Sequence, residues 1–189
     1  MNIRLKCYVM ILVLLLTGAV SRAVELQQEG KNILPDKVSS PVKIDGDLNE
    51  NIWAQPPIEK EFISYAPNYG DPLGQDTKIW AAYDDRNLYF AFKCSDTEPH
   101  KIKTSISQRD KILNDDFVGI LLDSTGSKQS GYEFYVNPNG IQLDALNSAV
   151  SGLDFAPDFV WESAGKVTDQ GYQVEIRIPD HRPIPIRWL

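Results

Sequence analysis

Two aromatic residues, Trp80 and Tyr135, fall on the strand faces opposite to their apolar neighbours. Trp80 alternates with Ile79 and Ala81, and Tyr135 lies between Phe134 and Val136, with Glu133 and Asn137 on its own side. A flat ring offers a surface to C–H groups, while a carboxylate and an amide take up hydroxyls. If the two strands share a sheet, these residues make a platform for a ring-shaped, hydroxyl-rich ligand. The plainer alternative is that both rings pack under a loop, as aromatic residues on strands usually do. Trp53 and Trp161 sit in apolar surroundings and read as core.

Acidic pairs occur at Asp84-Asp85 and Asp115-Asp116. A glycosidase needs two carboxyls facing across a cleft, roughly 5 to 9 Å apart. Neighbours on a strand point to opposite faces, so neither pair is such a dyad by itself. Asp84-Asp85 reads as turn chemistry, and Asp116, at a strand entrance, can bond loop amides or a ligand. Asp45, Asp47 and Asn49 imitate the start of an EF-hand loop, but Glu50 replaces its glycine and Pro56 its closing glutamate. That match fails, and a sandwich-type calcium site is left open. His100 and His181 lie far apart with no cysteine partner, against a zinc site. There is no nucleophile elbow, phosphate loop or dinucleotide fingerprint. The chain carries no catalytic machinery that its sequence reveals, and no cofactor is implied.

The elements that must position these groups are short strands. Lys78 to Tyr83 and Asn87 to Cys94 read as a hairpin across Asp84-Asp85-Arg86. Leu88, Phe90, Phe92 and Cys94 share one face. Val42 to Asp45 reads as a brief strand ended by Gly46, and Leu48 to Ala54 as about one helical turn burying Leu48, Ile52 and Trp53. Tyr65 to Gln75 is a loop. Phe117 to Asp123, apolar on both faces, predicts a central strand. Tyr132 to Val136 turns through Pro138-Asn139-Gly140 into Ile141 to Leu146, and Phe159 to Ser163 forms a strand around Trp161. Tyr172 to Ile178 alternates cleanly, with Gln173, Glu175 and Arg177 outward. No segment has three turns of helical periodicity. The pattern predicts an all-β fold, an antiparallel β-sandwich of jelly-roll type.

The 189 residues are 42% hydrophobic and carry a formal net charge of −7. One domain with a real core fits that length. The acidic balance argues against nucleic acid as a partner. Arg4 and Lys6, the apolar run Val9 to Leu16 and Ser21-Arg22-Ala23 read as a signal peptide over residues 1–23, so export to the periplasm, outer membrane or medium is expected. Cys7 would leave with it, and Cys94 reads as a buried small hydrophobe. Residues 24–40 read as a spacer and 41–179 as the folded module. Residues 180–189, with two prolines after the cleanest strand, read as an irregular, truncated or frame-shifted tail.

Four passages in order resemble the family 9 carbohydrate-binding modules and their DOMON-like relatives. They are Ile44-Asp45-Gly46 with Leu48 to Trp53, the Ala82 to Tyr89 hairpin, Asp115 to Val118 running into Leu122-Asp123, and Gly171-Tyr172 through Ile178-Pro179. Arg109-Asp110, Tyr132-Glu133-Phe134, Asn137-Pro138, Gly140 and Val160-Trp161 are similar to one branch, in which the module precedes an outer-membrane-type β-barrel region. The resemblance implies a β-sandwich and binding of a polysaccharide or oligosaccharide, in proteins often attached to glycoside hydrolases and polysaccharide breakdown. The implied partners beyond the sugar are a C-terminal barrel or a catalytic region. The hydrolase-attached members clamp a terminal sugar between two tryptophans; the first of these positions is Leu113 here, followed by Asn114 in place of a glutamate. The candidate sugar-contacting residues are Trp80, Arg109, Asp116, Glu133, Tyr135 and Asn137. The rival readings are a periplasmic plug or docking domain that binds no sugar, and part of a glycoside hydrolase.

Overall fold

The computed structural model describes residues 35–58, 62–64 and 68–179; the leader, most of the spacer and the 180–189 tail lie outside them. Nine strands make two sheets, and no α-helix occurs among the described residues. The first sheet contains β1 (Asp36–Lys37), β2 (Thr77–Tyr83), β3 (Asn87–Ser95), β9 (Gly171–Pro179) and β8 (Glu162–Thr168), in the order β1-β2-β3-β9-β8. The second runs β4 (Val118–Leu122), β5 (Ser130–Val136), β6 (Gln142–Ser148), β7 (Gly152–Asp154). All pairings are antiparallel except the short β1–β2 contact. The molecule is an antiparallel β-sandwich.

The facing sides carry what the alternation promises. Leu88, Phe90, Phe92 and Cys94 of β3 and Val174 and Ile176 of β9 meet Val118, Phe134 and Val136 of the second sheet, with Trp161 among them. Phe134 and Trp161 pack edge to face at 5.2 Å. Burial raises the Cys94 thiol above its ordinary range, so it is a core group. The β2–β3 turn closes on Asp84, which accepts the amides of Arg86 and Asn87 at 2.7 and 2.8 Å and the Tyr89 hydroxyl at 2.7 Å. Burial pushes that carboxyl up, but these donors hold it below its usual range.

The outer side of the first sheet is also covered. Val42 and Trp53 pack with Val38, Ile44, Leu48 and Ile52 against Trp80, Ala82, Tyr89 and Ala91. The segment is held by Glu175, which is outward on β9 yet fully buried. Its carboxylate accepts the amides of Asp45 (3.0 Å) and Gly46 (2.8 Å) and the indole N–H of Trp53 (2.8 Å). Three backbones then meet without side chains between them. A Cβ on Gly165 of β8 would lie 2.6 Å from the Gly140 nitrogen, and one on Gly46 would lie 3.1 Å from the Gly165 backbone.

Several expectations are corrected. Val42 to Asp45 pairs with no strand, and Asp36–Lys37, inside the expected spacer, forms β1. Phe117 to Asp123 supplies an edge strand and not a central one: its outward residues Phe117 and Leu121 are exposed. The strand near Trp161 is Glu162–Thr168, whose mostly polar edge positions carry no apolar alternation.

Replacing Glu175 by Ala leaves three donors without an acceptor and should lower stability by about 3 kcal/mol in chemical denaturation. Desolvation raises the Glu175 pKa above its ordinary 4.5, against the pull of the Asp45, Trp53 and Gly46 donors. A raised value contributes stability that is fully present below 4.5 and lost as pH rises through the folded value. Stability measured against Glu175→Gln should therefore shift in favour of the native chain as pH falls through that window. A shift in the opposite direction would refute this.

Candidate functional site

Inward-facing Phe134 and Val136 fix the opposite orientation for Glu133 and Tyr135 on β5. Their cross-strand partners complete the outer face of the second sheet. Gly119 of β4 and Leu143 of β6 flank Tyr135; Leu121 and Ala145 flank Glu133; Asn147 of β6 and Leu153 of β7 pair one row further on. Gly119 leaves room for the Tyr135 ring, since a Cβ there would lie 2.5 Å from a ring carbon. Phe117, just ahead of β4, meets that ring edge on, with centroids 5.4 Å apart at 80°.

The polar part of this face is built from Glu133, which is 7% exposed. It accepts a hydrogen bond from the Tyr135 hydroxyl and another from the Asn147 side-chain amide. Around it the apolar rim stays open: Phe117 is 38%, Leu121 59% and Leu153 47% exposed. Ring and aliphatic surface beside a carboxylate–amide–phenol array can hold the C–H face and the hydroxyls of one ligand together. Glu133 is the single carboxylate among the described strand residues of this face, so those strands present no pair of carboxyls across a cleft.

The structure brings together two of the six sequence candidates, Glu133 and Tyr135. Trp80 lies in the other sheet, 9% exposed beneath the N-terminal segment, with its indole N–H donating to the Gln55 carbonyl at 2.8 Å. The shared sheet that a Trp80–Tyr135 platform required does not exist, because the outward face of β2 is itself a packed interface. Arg109 binds Asp144 through Nε (3.1 Å) and Nη2 (2.5 Å), donates to the Phe159 carbonyl at 2.8 Å, and stands 6.0 Å from the Trp161 ring. Asp144 pairs across from Phe134, so this ion pair belongs to the inner side of β6. Asp116 accepts the Lys103 amide at 2.9 Å and gives its own amide to the Lys103 carbonyl, tying down a loop.

Asn137 is fully buried and its amide is fully used. It donates to the Ser105 carbonyl (3.0 Å) and to Asp115 (2.8 Å), and accepts the amides of Asn139 (3.1 Å) and Ile141 (2.8 Å). Asp115 also receives the Ser105 hydroxyl and amide, and the Ser105 hydroxyl is the main reason its carboxyl is held below the usual range. Phe117, Leu121 and Asn147 were missed because their side of the sheet follows from register. Only Phe117 carried a local signal, as an aromatic residue at a strand entrance.

Among the described residues no cluster of three or more His, Cys, Asp or Glu could hold a metal ion. Asp45 pairs with Lys43 and Asp47 with Lys166. Leu113 and Asn114 are both exposed.

The model of the carbohydrate family 9 binding domain-like family matches residues 44–184. Among solved structures, a family 9 carbohydrate-binding module of Caldicellulosiruptor kristjanssonii in complex with glucose is 23% identical, covering 80% of this chain and 71% of that one at a TM-score of 0.56. The Caldicellulosiruptor kristjanssonii module in complex with cellotriose is 22% identical, with 80% and 69% coverage and a TM-score of 0.55. A candidate carbohydrate-binding protein of Bacteroides uniformis is 13% identical, with 77% and 71% coverage and a TM-score of 0.57. No curated protein sequence matches the chain significantly. At these identities the structures establish a shared fold.

Asn137→Ala should destabilise the domain by about 2 to 3 kcal/mol, since it strands the Asn139 and Ile141 amides. Equilibrium denaturation checks this, and an unchanged midpoint would show that the turn does not depend on the amide.

Proposed function

This chain belongs to the carbohydrate family 9 binding domain-like family, and from that premise we propose that it is a non-catalytic carbohydrate-binding domain whose ligand lies on the outer face of β4–β7. The observation that carries the proposal is the open apolar rim of Phe117, Leu121 and Leu153 around the Tyr135–Glu133–Asn147 hydrogen-bond array. Exposed aromatic and aliphatic groups grouped on one sheet face mark a recognition surface. Glucose and cellotriose in the related Caldicellulosiruptor module make gluco-oligosaccharides the first ligands to test.

The leader pattern Arg4, Lys6 and Val9 to Leu16 supports export, and the family supports a place in polysaccharide breakdown beside a catalytic or barrel-forming region. A second reading is a docking domain that binds no sugar. Exposed Leu113 at the position of the clamp tryptophan, together with the exposed apolar edge strand β4, favours it.

Titration calorimetry of the full chain with cello-oligosaccharides separates the two. The described tryptophans Trp53, Trp80 and Trp161 are all buried, so heat is a better readout than indole fluorescence. Saturable binding that falls about tenfold in Tyr135→Ala is expected from the loss of one ring face. Folded protein that gives no heat with any soluble polysaccharide would favour the docking reading.

A further inference from the structure

Two buried carboxylates face each other's opposite sides across the second sheet and are treated differently by the fold. Asp144 is fully buried on the inner side and carries its counter-charge in Arg109. Glu133, 7% exposed on the outer side, has only the neutral donors of Tyr135 and Asn147. No ion pair among the described residues includes it. Its neighbours within the strands of that face are Gly119 and Leu121 of β4, Gly131 and Tyr135 of β5, Leu143, Ala145 and Asn147 of β6, and Leu153 of β7, none of them charged; the loop that carries Ser105 and Asp115 reaches the same face at Asn137.

A carboxylate withdrawn from water without a cation is destabilised, and that cost is relieved by whatever brings positive charge to it. We propose that the ligand supplies the missing charge: the outer face takes saccharides with protonated amino groups, glucosamine-type units, in preference to neutral sugars and against uronic or sulfated ones. This rests on the carbohydrate site assigned above. An ammonium group is compact and presents three donors, which a carboxylate can accept on lone pairs left beside the Tyr135 hydroxyl and the Asn147 amide. Phe117, Tyr135 and Leu121 then meet the C–H side of the same ring. The net charge of −7 favours the approach of a cationic chain.

The test compares three trimers that differ only at the second carbon of each unit: cellotriose, N-acetylated chitotriose and fully deacetylated chitotriose. Calorimetry on the full chain is run with the amines protonated and in about 0.5 M salt, which screens general attraction to the acidic surface. The deacetylated trimer should bind about tenfold more tightly than either neutral trimer. Glu133→Gln, verified by a cooperative thermal transition, should bring the three to parity. If that variant fails to fold, the native chain still decides through the acetylated and deacetylated pair. Equal affinities, or a preference that survives in Glu133→Gln, would overturn the inference and leave the carbohydrate reading standing. Binding of none of the three by folded protein would overturn both.

Discussion

The carboxylate of Glu175 is placed where an indole N–H and two backbone amides from the segment around Gly46 converge, and much of the architecture follows from that placement. A sheet in a two-layer sandwich normally shows its outer side to water. Here the central strands β3 and β9 are buried on both sides, because the segment from Val38 to Trp53 forms a further layer. Apolar contacts supply most of that layer's adhesion, but they do not fix its position along the sheet. Directional hydrogen bonds to one buried acceptor do. On the outer face of β4–β7, exposed Phe117, Leu121 and Leu153 surround buried Glu133, Leu143 and Ala145.

The local pattern revealed strands more reliably than it revealed where they go. The β2–β3 hairpin and the inward set of β9 could be read from alternation and from Asp84, since both depend on neighbours in sequence. Partition of the strands between sheets depends on pairings distant along the chain, such as β3 with β9, and no periodicity encodes it. Phe117 to Asp123 reads as central because it is apolar on both sides; its outward residues Phe117 and Leu121 are nevertheless exposed on an edge strand. Glu175 looked solvent-facing because a charged residue in the polar register of a strand usually is. Only the arrival of a second layer turns that register into an interior.

The candidate site was half visible for the same reason. Glu133 and Tyr135 are two apart on one strand, so alternation alone puts them on a common face. Asn147, Leu121 and Gly119 join them through cross-strand register, which a single strand does not contain. Trp80 has the same local signature as Tyr135 and a different setting: it is buried under the segment that carries Val42 and Trp53, whereas Tyr135 is half-buried beside the exposed Phe117. Asn137 and Arg109, polar residues that invite a ligand role, spend their hydrogen bonds on the frame that supports the face.

The column of Gly46, Gly165 and Gly140 brings the backbones of the outer segment, the edge strand β8 and the turn between β5 and β6 into direct contact. Contacts of this kind have no rotamer to relax, so separation of one layer disturbs the fit of the next. In the language of amide hydrogen exchange, the turn at Asn137–Gly140 and the segment around Gly46 are expected to open as one unit in place of two. Protection measured at either end is then expected to report on both, tying the candidate site's frame to the layer on the far side of the sandwich.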